Sequence, residues 1–227
     1  LGDVYKRQAK VLRSLVIGLA VVFVSACPRT PEPAQFAGPT MGTTYHVTVS
    51  GADSSQERRA VQSAIDRVLV EIERHLSTYD DTSEIAQLNR DESRSWQDVS
   101  PTLFVVLQEA RDVSELTAGA FDVTVAPLLR LWGYEPGSAG PSAPTTFQAP
   151  TSGQLEQART SVGYAKLELR RAPRMSVRKS ASGMRLTVDG IAPGYAVDRI
   201  VTELRDLGHA NFIVEIGGAV RAAGQRP

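Results

Sequence analysis

The sequence predicts an α+β protein. Three observations favour this class: an amphipathic helix in the first half, a second one near the C-terminus, and short alternating apolar segments that do not follow strict strand–helix alternation. A chain of 227 residues with 42% hydrophobic residues is long enough to bury a substantial core. Lys+Arg and Asp+Glu both number 25, so we expect no nucleic-acid partner, because no net positive field attracts a polyanion.

The first 27 residues predict an export signal. We interpret the first eight residues, "LGDVYKRQ", as an artefact of cloning or gene calling. Lys10 and Arg13 then precede the apolar run 15–26, "LVIGLAVVFVSA". This run is too short to span a bilayer but suits the apolar region of a signal peptide. Small residues then lead to Cys27, the only cysteine, in a pattern that resembles a bacterial lipoprotein signal; the alternative is a secretory signal followed by an unrelated cysteine.

The lipoprotein interpretation has consequences for location. Cys27 would be the lipidated first residue of the mature protein, anchored to the membrane. We therefore expect an inner-membrane lipoprotein that faces the periplasm. Residues 28–39 are rich in proline and predict an extended tether before the domain at 40–227.

The domain is predicted to open with a strand and a long helix. Residues 40–51, "TMGTTYHVTVSG", alternate apolar and polar side chains, which predicts a strand beginning near Met41. Ser54 and Glu57 form a capping box before an apolar face at 61–76, whose spacing of three and four residues predicts a helix.

Two further helices are predicted from their N-terminal signals. A second capping pattern, Asp81 to Glu84, predicts a short helix. Ser100 followed by Pro101 predicts the start of a helix that runs to about Leu116.

The segment 117–136, "TAGAFDVTVAPLLRLWGYEP", places Asp122 in an alternating apolar stretch that predicts a half-buried strand, followed by a helical turn begun by proline. A buried carboxylate without a partner costs several kcal/mol. Asp122 should therefore be solvated at a strand end, hydrogen-bonded, or close to a cation or ligand. Residues 137–151 predict a surface loop or a seam between subdomains, because large apolar residues are scarce there.

The last third predicts a compact αβ unit. We expect a short helix at 153–160, strands near 164–170 and 184–188, and a helix that ends near Gly208. Two short strands then meet at Gly217-Gly218. The turn 189–194 would direct backbone N–H groups and a helix N-terminus toward an anion, with an ordinary tight connection as an equal alternative.

Four stretches in order resemble the ApbE family of FAD:protein FMN transferases: "MGTTYHVTV", "STYDDTSEIAQLN", "TAGAFDVTVAPLLRLWGY" and "GIAPGYAVDRIVTEL" with "NFIVEIGGAVRAAG". The resemblance extends from about Thr40 to Gly224 and implies an ApbE-like, T-fold-related mixed sheet with packed helices. It also implies an enzyme that splits the FAD diphosphate with Mg²⁺. Such an enzyme attaches FMN through a phosphoester to a Thr or Ser of a target redox protein.

The same resemblance implies site residues, which are matched on the family's motifs. FAD contacts carry over to Met41, Tyr79, Ala120, Phe121, Asp122 and the segment 187–194, including Thr187 and Pro193. Without the resemblance, the residues around Tyr79 leave open whether its ring stacks on a ligand or covers the core.

The Gly-rich turn departs from the family's usual pattern, D-L-G-G-I-A-K-G-Y. Thr187 stands at the usual Asp, Pro193 at the usual Lys, and Gly190 at the position whose carbonyl ligates Mg²⁺. Asp189 is a candidate to compensate for the charge that Thr187 lacks. No residue is identified as the general base.

Family members continue well past the position of Pro227, into a flavin contact with a histidine and the Asp and Thr that complete the Mg²⁺ site. We therefore expect a chain with most of the flavin-binding half, an incomplete C-terminal part and an incomplete metal site. Two rival hypotheses remain: an envelope lipoprotein that binds or delivers FAD without transferring FMN, and a structural lipoprotein without flavin.

Overall fold

The computed structural model describes residues 32–134 and 149–225, and its compact body extends from Pro33 to Gln225. The predicted signal, Cys27 and most of the predicted loop 137–151 lie outside the described residues. The described helices are α1 (Ser55–Leu76), α2 (Glu84–Arg90), α3 (Pro101–Leu116), α4 (Ala126–Leu131), α5 (Ser152–Arg159) and α6 (Ala192–Asp206). The strands are β1 (Ala34–Thr40), β2 (Thr43–Val49), β3 (Gln97–Asp98), β4 (Leu167–Arg170), β5 (Ser176–Lys179), β6 (Phe212–Ile216) and β7 (Ala219–Ala223).

The main sheet is antiparallel with the strand order β1-β2-β6-β7. It joins the two ends of the described body, since Val47 of β2 stands opposite Val214 of β6. The predicted strand after Met41 and the two strands that meet at Gly217-Gly218 are confirmed. These strands and the helices establish the α+β class.

The domain begins earlier than the sequence predicted. Residues 34–39, assigned to a tether, lie in β1, which pairs with β2 along its whole length. Ala34 and Phe36 are buried in alternation with exposed neighbours, so this proline-flanked stretch contributes to the core. The proline content concealed a short alternating pattern of the kind that a half-buried strand requires.

Helices α1 and α6 cover the core with the apolar faces that the sequence predicts. The capping box of α1 is present, with the Glu57 amide donating to Ser54 Oγ at 3.1 Å and the Ser54 amide donating to Glu57 Oε2 at 2.9 Å. The predicted cap of α3 is also present, because Ser100 Oγ accepts from the Leu103 amide at 3.1 Å. The faces buried in α1 and α6 comprise Val61, Ala64, Ile65, Val68, Leu69, Ile72, Leu76, Ala192, Ala196, Val197, Ile200, Val201 and Leu204.

One predicted cap and one predicted strand are wrong. The N-cap of α2 is Ser83, whose Oγ accepts from the Ala86 amide at 3.1 Å, and not Asp81. Residues 184–188 form no strand ladder, whereas the three-stranded sheet β3-β5-β4 contains a strand, β5, that the sequence did not reveal. Residues 164–166 form a 3-10 turn before β4.

The predicted strand around Asp122 is also wrong, although the helical turn after it is confirmed as α4. After helix α3, two residues with left-handed backbone, Ala118 (φ 49°) and Gly119 (φ 83°), reverse the chain. The residues after them form turns, because side chains of Thr117 and Asp122 bond to nearby amides and so compete with a sheet ladder.

None of the helices in the described ranges is long and apolar enough to cross a membrane.

Candidate functional site

Three cavities meet at Asp189, in the turn between the extended segment 184–188 and helix α6. The largest is an open cleft of about 790 Å³ between α3, α6 and β7. A second cavity of about 280 Å³ lies toward α2 and α4, and a third of about 60 Å³ lies toward the β1–β2 turn. Asp189 therefore borders all three cavities.

The smallest cavity brings together three of the predicted site residues, Met41, Tyr79 and Pro193. Met41 and Gly42 form the two-residue β1–β2 turn, with φ of 45° and 71°, which is the backbone that a primed hairpin turn requires. A non-glycine residue in this conformation is held at some energetic cost. The Met41 amide donates to Glu73 Oε1 at 3.4 Å, and its side chain packs partly against the core.

Tyr79 lines the smallest of the three cavities. Its side chain is 58% exposed, so it does not serve as a core residue. Partial burial raises the pKa of the Tyr79 hydroxyl, and the nearby Asp189 carboxylate raises it further. Asp189 is oriented by the neighbouring Thr78, whose Oγ1 donates to Asp189 Oδ1 at 2.9 Å.

Phe121 and Gly190 are in contact. A Cβ at Gly190 would lie 3.2 Å from Phe121 Cε2, so the glycine allows the aromatic ring to lie directly on the backbone of the turn. The segments that contain Phe121 and Gly190 are also joined by a hydrogen bond from the Thr187 amide to the Val123 carbonyl at 2.8 Å. Two distant motifs, 120–123 and 187–190, thus form one wall.

Asp122 is hydrogen-bonded, one of the three environments expected from its sequence. Its Oδ1 accepts from the Thr124 amide at 2.8 Å and from Thr124 Oγ1 at 2.7 Å, and its Oδ2 accepts from the Tyr164 amide at 2.8 Å. Thr124 Oγ1 in turn accepts from the Gly163 amide at 2.7 Å. The carboxylate therefore joins the 122–124 turn to the 163–164 turn, and its role as a flavin contact stays a prediction.

The remaining predicted residues lie near the same wall. Ala120 is exposed, and its amide donates to the Thr117 carbonyl at 3.1 Å. Thr187 lines the cavity of about 280 Å³. Pro193 lines both the largest cleft and the smallest cavity, and it stands in the first turn of α6.

The start of α6 provides backbone donors. The Ile191 and Ala192 amides donate to the Val188 carbonyl at 2.9 and 2.8 Å, and no side chain caps the helix. Among the described residues, the amides of Gly190 and Gly194 donate to no acceptor. Unbonded amides at a helix N-terminus favour an anion such as a phosphate group.

Comparison with known proteins identifies the family. The family model described as "ApbE family" matches residues 41–227. The chain belongs to the ApbE family. The match includes every predicted flavin-contact residue, from Met41 to Pro193.

ApbE relatives have a named activity. The FAD:protein FMN transferase of Vibrio cholerae is 32% identical over 214 residues, which are 94% of this chain and 61% of the relative. That of Haemophilus influenzae is 31% identical over 220 residues, 95% of this chain and 62% of the relative. The chain therefore spans about three fifths of the length of these curated relatives.

Solved ApbE structures share the fold. The flavin transferase ApbE from Vibrio cholerae superposes with a TM-score of 0.75 at 34% identity and covers 86% of this chain and 60% of its own. The apo form of the Pseudomonas stutzeri flavinyl transferase ApbE gives a TM-score of 0.75 at 29% identity, covering 86% of this chain and 59% of its own.

The described residues do not fit a complete Mg²⁺ site. Within 32–134 and 149–225, no group of three or more His, Cys, Asp or Glu side chains is placed to hold a metal ion. Gly190, the predicted carbonyl ligand, has Asp189 as its neighbour, and one oxygen of that carboxylate accepts from Thr78. A hard cation usually takes about six oxygen ligands, so these donors do not suffice by themselves.

Two residues that build the site were not singled out from the sequence. The side-chain amide of Asn89 bonds to both backbone groups of Leu186, and the buried Lys179 ammonium bonds to the carbonyls of Leu88 and Asp91. Asn89 closes the motif "STYDDTSEIAQLN", but neither its spacing nor its polarity indicates a partner that lies 97 residues away.

Proposed function

We propose that this chain carries the flavin-binding part of an enzyme that transfers FMN from FAD to a Thr or Ser hydroxyl of a target protein. The single observation that carries the proposal is the convergence of Met41, Tyr79 and Pro193 on one cavity beside the unbonded amides of the 190–194 turn. The activity for which its ApbE relatives are named supports the same reaction. The proposal includes a phosphoester product, a protein acceptor and dependence on Mg²⁺.

In this proposal each part of the site has a distinct task. The amides of Gly190 and Gly194 donate to the FAD diphosphate, where the α6 dipole adds a favourable field. Phe121 and the Gly190 backbone limit one side of the cofactor, while the exposed Tyr79 ring stacks on a flat ring system. These residues bind and orient FAD, and such positioning is the larger part of phosphoryl transfer.

The chemical step is a displacement at phosphorus. The oxygen of the target hydroxyl forms a bond to the FMN phosphorus, the bond from that phosphorus to the bridging diphosphate oxygen breaks, and AMP leaves with that oxygen. The hydroxyl proton passes to solvent or to a base that lies outside the residues assigned above. The described residues do not complete an Mg²⁺ site, so the roles above belong to backbone amides and side chains of this chain.

The proposal extends to location. The signal-like segment before Cys27 supports a lipid-anchored protein that faces the periplasm, where a target redox protein would receive FMN.

A transfer assay tests the function. The chain is incubated with FAD, Mg²⁺ and an envelope extract from the source organism, next to a version extended to the length of the relatives. We expect in-gel flavin fluorescence on a target and released AMP with the extended version, and far less with the present chain. Equal labelling by both would contradict the view that the described residues leave the Mg²⁺ site incomplete.

The second candidate is a protein that binds FAD without transferring FMN, and it is favoured by the lack of a metal-holding group of His, Cys, Asp or Glu side chains among the described residues. FAD binding without AMP release from the extended version would support this candidate. Failure to quench FAD fluorescence on titration would contradict both candidates and favour a structural lipoprotein.

A further inference from the structure

Segment 184–188 forms one wall of the site, yet within the described residues it belongs to no strand ladder. Its backbone is held from two sides instead. Asn89 Nδ2 donates to the Leu186 carbonyl at 2.8 Å, and Asn89 Oδ1 accepts from the Leu186 amide at 2.7 Å. On the other side the Thr187 amide donates to the Val123 carbonyl at 2.8 Å.

From this geometry we infer that Asn89 is a positioning residue for the flavin site. Its carboxamide presents one donor and one acceptor, as a peptide group does, and so replaces one residue of a neighbouring strand. Leu186 is 1% exposed, so its amide and carbonyl would lose their partners without water to replace them. The inference rests on the proposed function only in so far as FAD occupies this site.

Asn89 can perform this task because its own backbone is fixed. It stands in the last turn of α2, where the buried Lys179 ammonium donates to the Leu88 carbonyl at 2.6 Å and also to the Asp91 carbonyl. The carbonyls on both sides of Asn89 are thus tied to β5. Leu88 itself is buried at 4% exposure, which fixes the helix against the core.

The position of Leu186 makes the bonds functionally relevant. Thr187 follows it directly, and the Asp189–Gly190 turn begins three residues later. A displacement of an extended segment also displaces the residues that follow it directly, because only a few backbone dihedral angles lie between them. Loss of the Asn89 bonds should therefore displace the turn amides while the helices and the main sheet remain intact.

Two substitutions and one control test the inference on the full chain. Asn89→Ala removes both bonds, and Asn89→Asp keeps the acceptor but places a carboxylate oxygen against the Leu186 carbonyl. The control is Ser176→Ala, which removes a buried hydroxyl that bonds to Asp98 Oδ1 at 3.0 Å in the smaller sheet. Each variant is measured by amide hydrogen exchange, thermal unfolding and quenching of FAD fluorescence.

We expect Asn89→Ala to speed amide exchange in 186–190 by at least about tenfold and to raise the FAD Kd by about tenfold, as expected for the loss of two hydrogen bonds. Ser176→Ala should leave the exchange rate at 186–190 and the FAD Kd within about twofold of wild type. This should hold even if its melting temperature falls as far as that of Asn89→Ala. Unchanged exchange at 186–190 in Asn89→Ala would overturn the inference.

Asn89→Asp adds a readout that a merely structural loss would not produce. Burial beside the Leu186 carbonyl should raise the pKa of the introduced carboxyl well above its ordinary value of about 3.9. When protonated, this carboxyl can donate to the Leu186 carbonyl and accept from the Leu186 amide, so FAD affinity should recover as the pH falls from 8 to about 5. Wild-type protein serves as the reference, because it keeps the other charged groups near this position: Asp81, Arg90, Asp91, Glu92, Arg130, Lys179, Arg185 and Asp189.

An Asn89→Asp profile parallel to that of wild type would overturn the inference. If the wild-type protein does not quench FAD at all, the proposed function fails, and amide exchange alone then decides the role of Asn89.

Discussion

Replacing Asp122 with alanine should destabilise the fold, because the carboxylate accepts three hydrogen bonds from two separate turns. The substitution leaves the Thr124 and Tyr164 amides and the Thr124 hydroxyl without their acceptor. A hydrogen bond to a charged group contributes about 1.5–3 kcal/mol when it is buried, and less where water can replace it. Since Asp122 is half-buried, we expect a total loss of about 2–4 kcal/mol.

Such a loss is measurable by chemical and thermal unfolding. For a protein of this size it corresponds to a fall in melting temperature of about 5–15 °C. FAD affinity is then measured at a temperature where wild type and variant are both folded. The sequence predicts that Asp122→Ala reduces the free energy of FAD binding by more than it reduces the free energy of unfolding.

Thr124→Val is the matched control for that comparison. Thr124 is fully buried and accepts from the Gly163 amide, so its loss loosens the same pair of turns without removing the carboxylate. If the two variants have the same unfolding free energy and raise the FAD Kd by the same factor, Asp122 is a structural residue and not a flavin contact. An unchanged unfolding free energy in Asp122→Ala would refute the hydrogen-bonding argument itself.

Two further predictions concern Lys179 and Gly190. Lys179→Met should lower the unfolding free energy by about 2–4 kcal/mol, because the carbonyls of Leu88 and Asp91 lose a buried donor, and urea denaturation at pH 7 measures this. Burial lowers the pKa of Lys179 below its ordinary value of 10.5, so the unfolded chain binds this proton more tightly than the folded chain does. The Lys179 contribution to the unfolding free energy should therefore rise with pH between the lowered pKa and 10.5. A pH profile of stability above pH 7 that is identical in Lys179→Met would contradict that sign. Gly190→Ala should raise the FAD Kd while the melting temperature changes by a few degrees, because its Cβ meets Phe121 Cε2 at 3.2 Å. If the additional substitution Phe121→Leu does not reduce the rise in Kd caused by Gly190→Ala, this contact is not its cause.

Much of the fold could be predicted from local patterns. The capping box at Ser54 and the Ser100-Pro101 pair specify helix starts through atoms a few residues apart, and both were confirmed. The segment around Asp122 was misassigned because its alternation matches a strand. Left-handed residues at 118–119 and side-chain bonds within a few residues turn the chain instead.

The candidate site divides in a similar way. The ApbE-like motifs identified Met41, Tyr79 and Pro193, and the structure places all three on one cavity. The supports of the site were not predictable, because the partner of Asn89 lies 97 residues away and the partners of Lys179 lie 91 and 88 residues away. A polar side chain at a helix end has the same local appearance whether it meets solvent or a distant strand.

The sequence by itself determined the family, the α+β class and the helices whose apolar faces form the core, since each depends on residues close together in the chain. Tertiary structure alone decided that residues 34–39 join the sheet and that segment 184–188 is held by side chains and not by a ladder. It also decided that the Asp122 carboxylate joins two turns. The physical reason is the same in each case: a buried backbone amide or carbonyl must find a partner, and the partner that it finds depends on which distant segments packing brings within hydrogen-bonding distance.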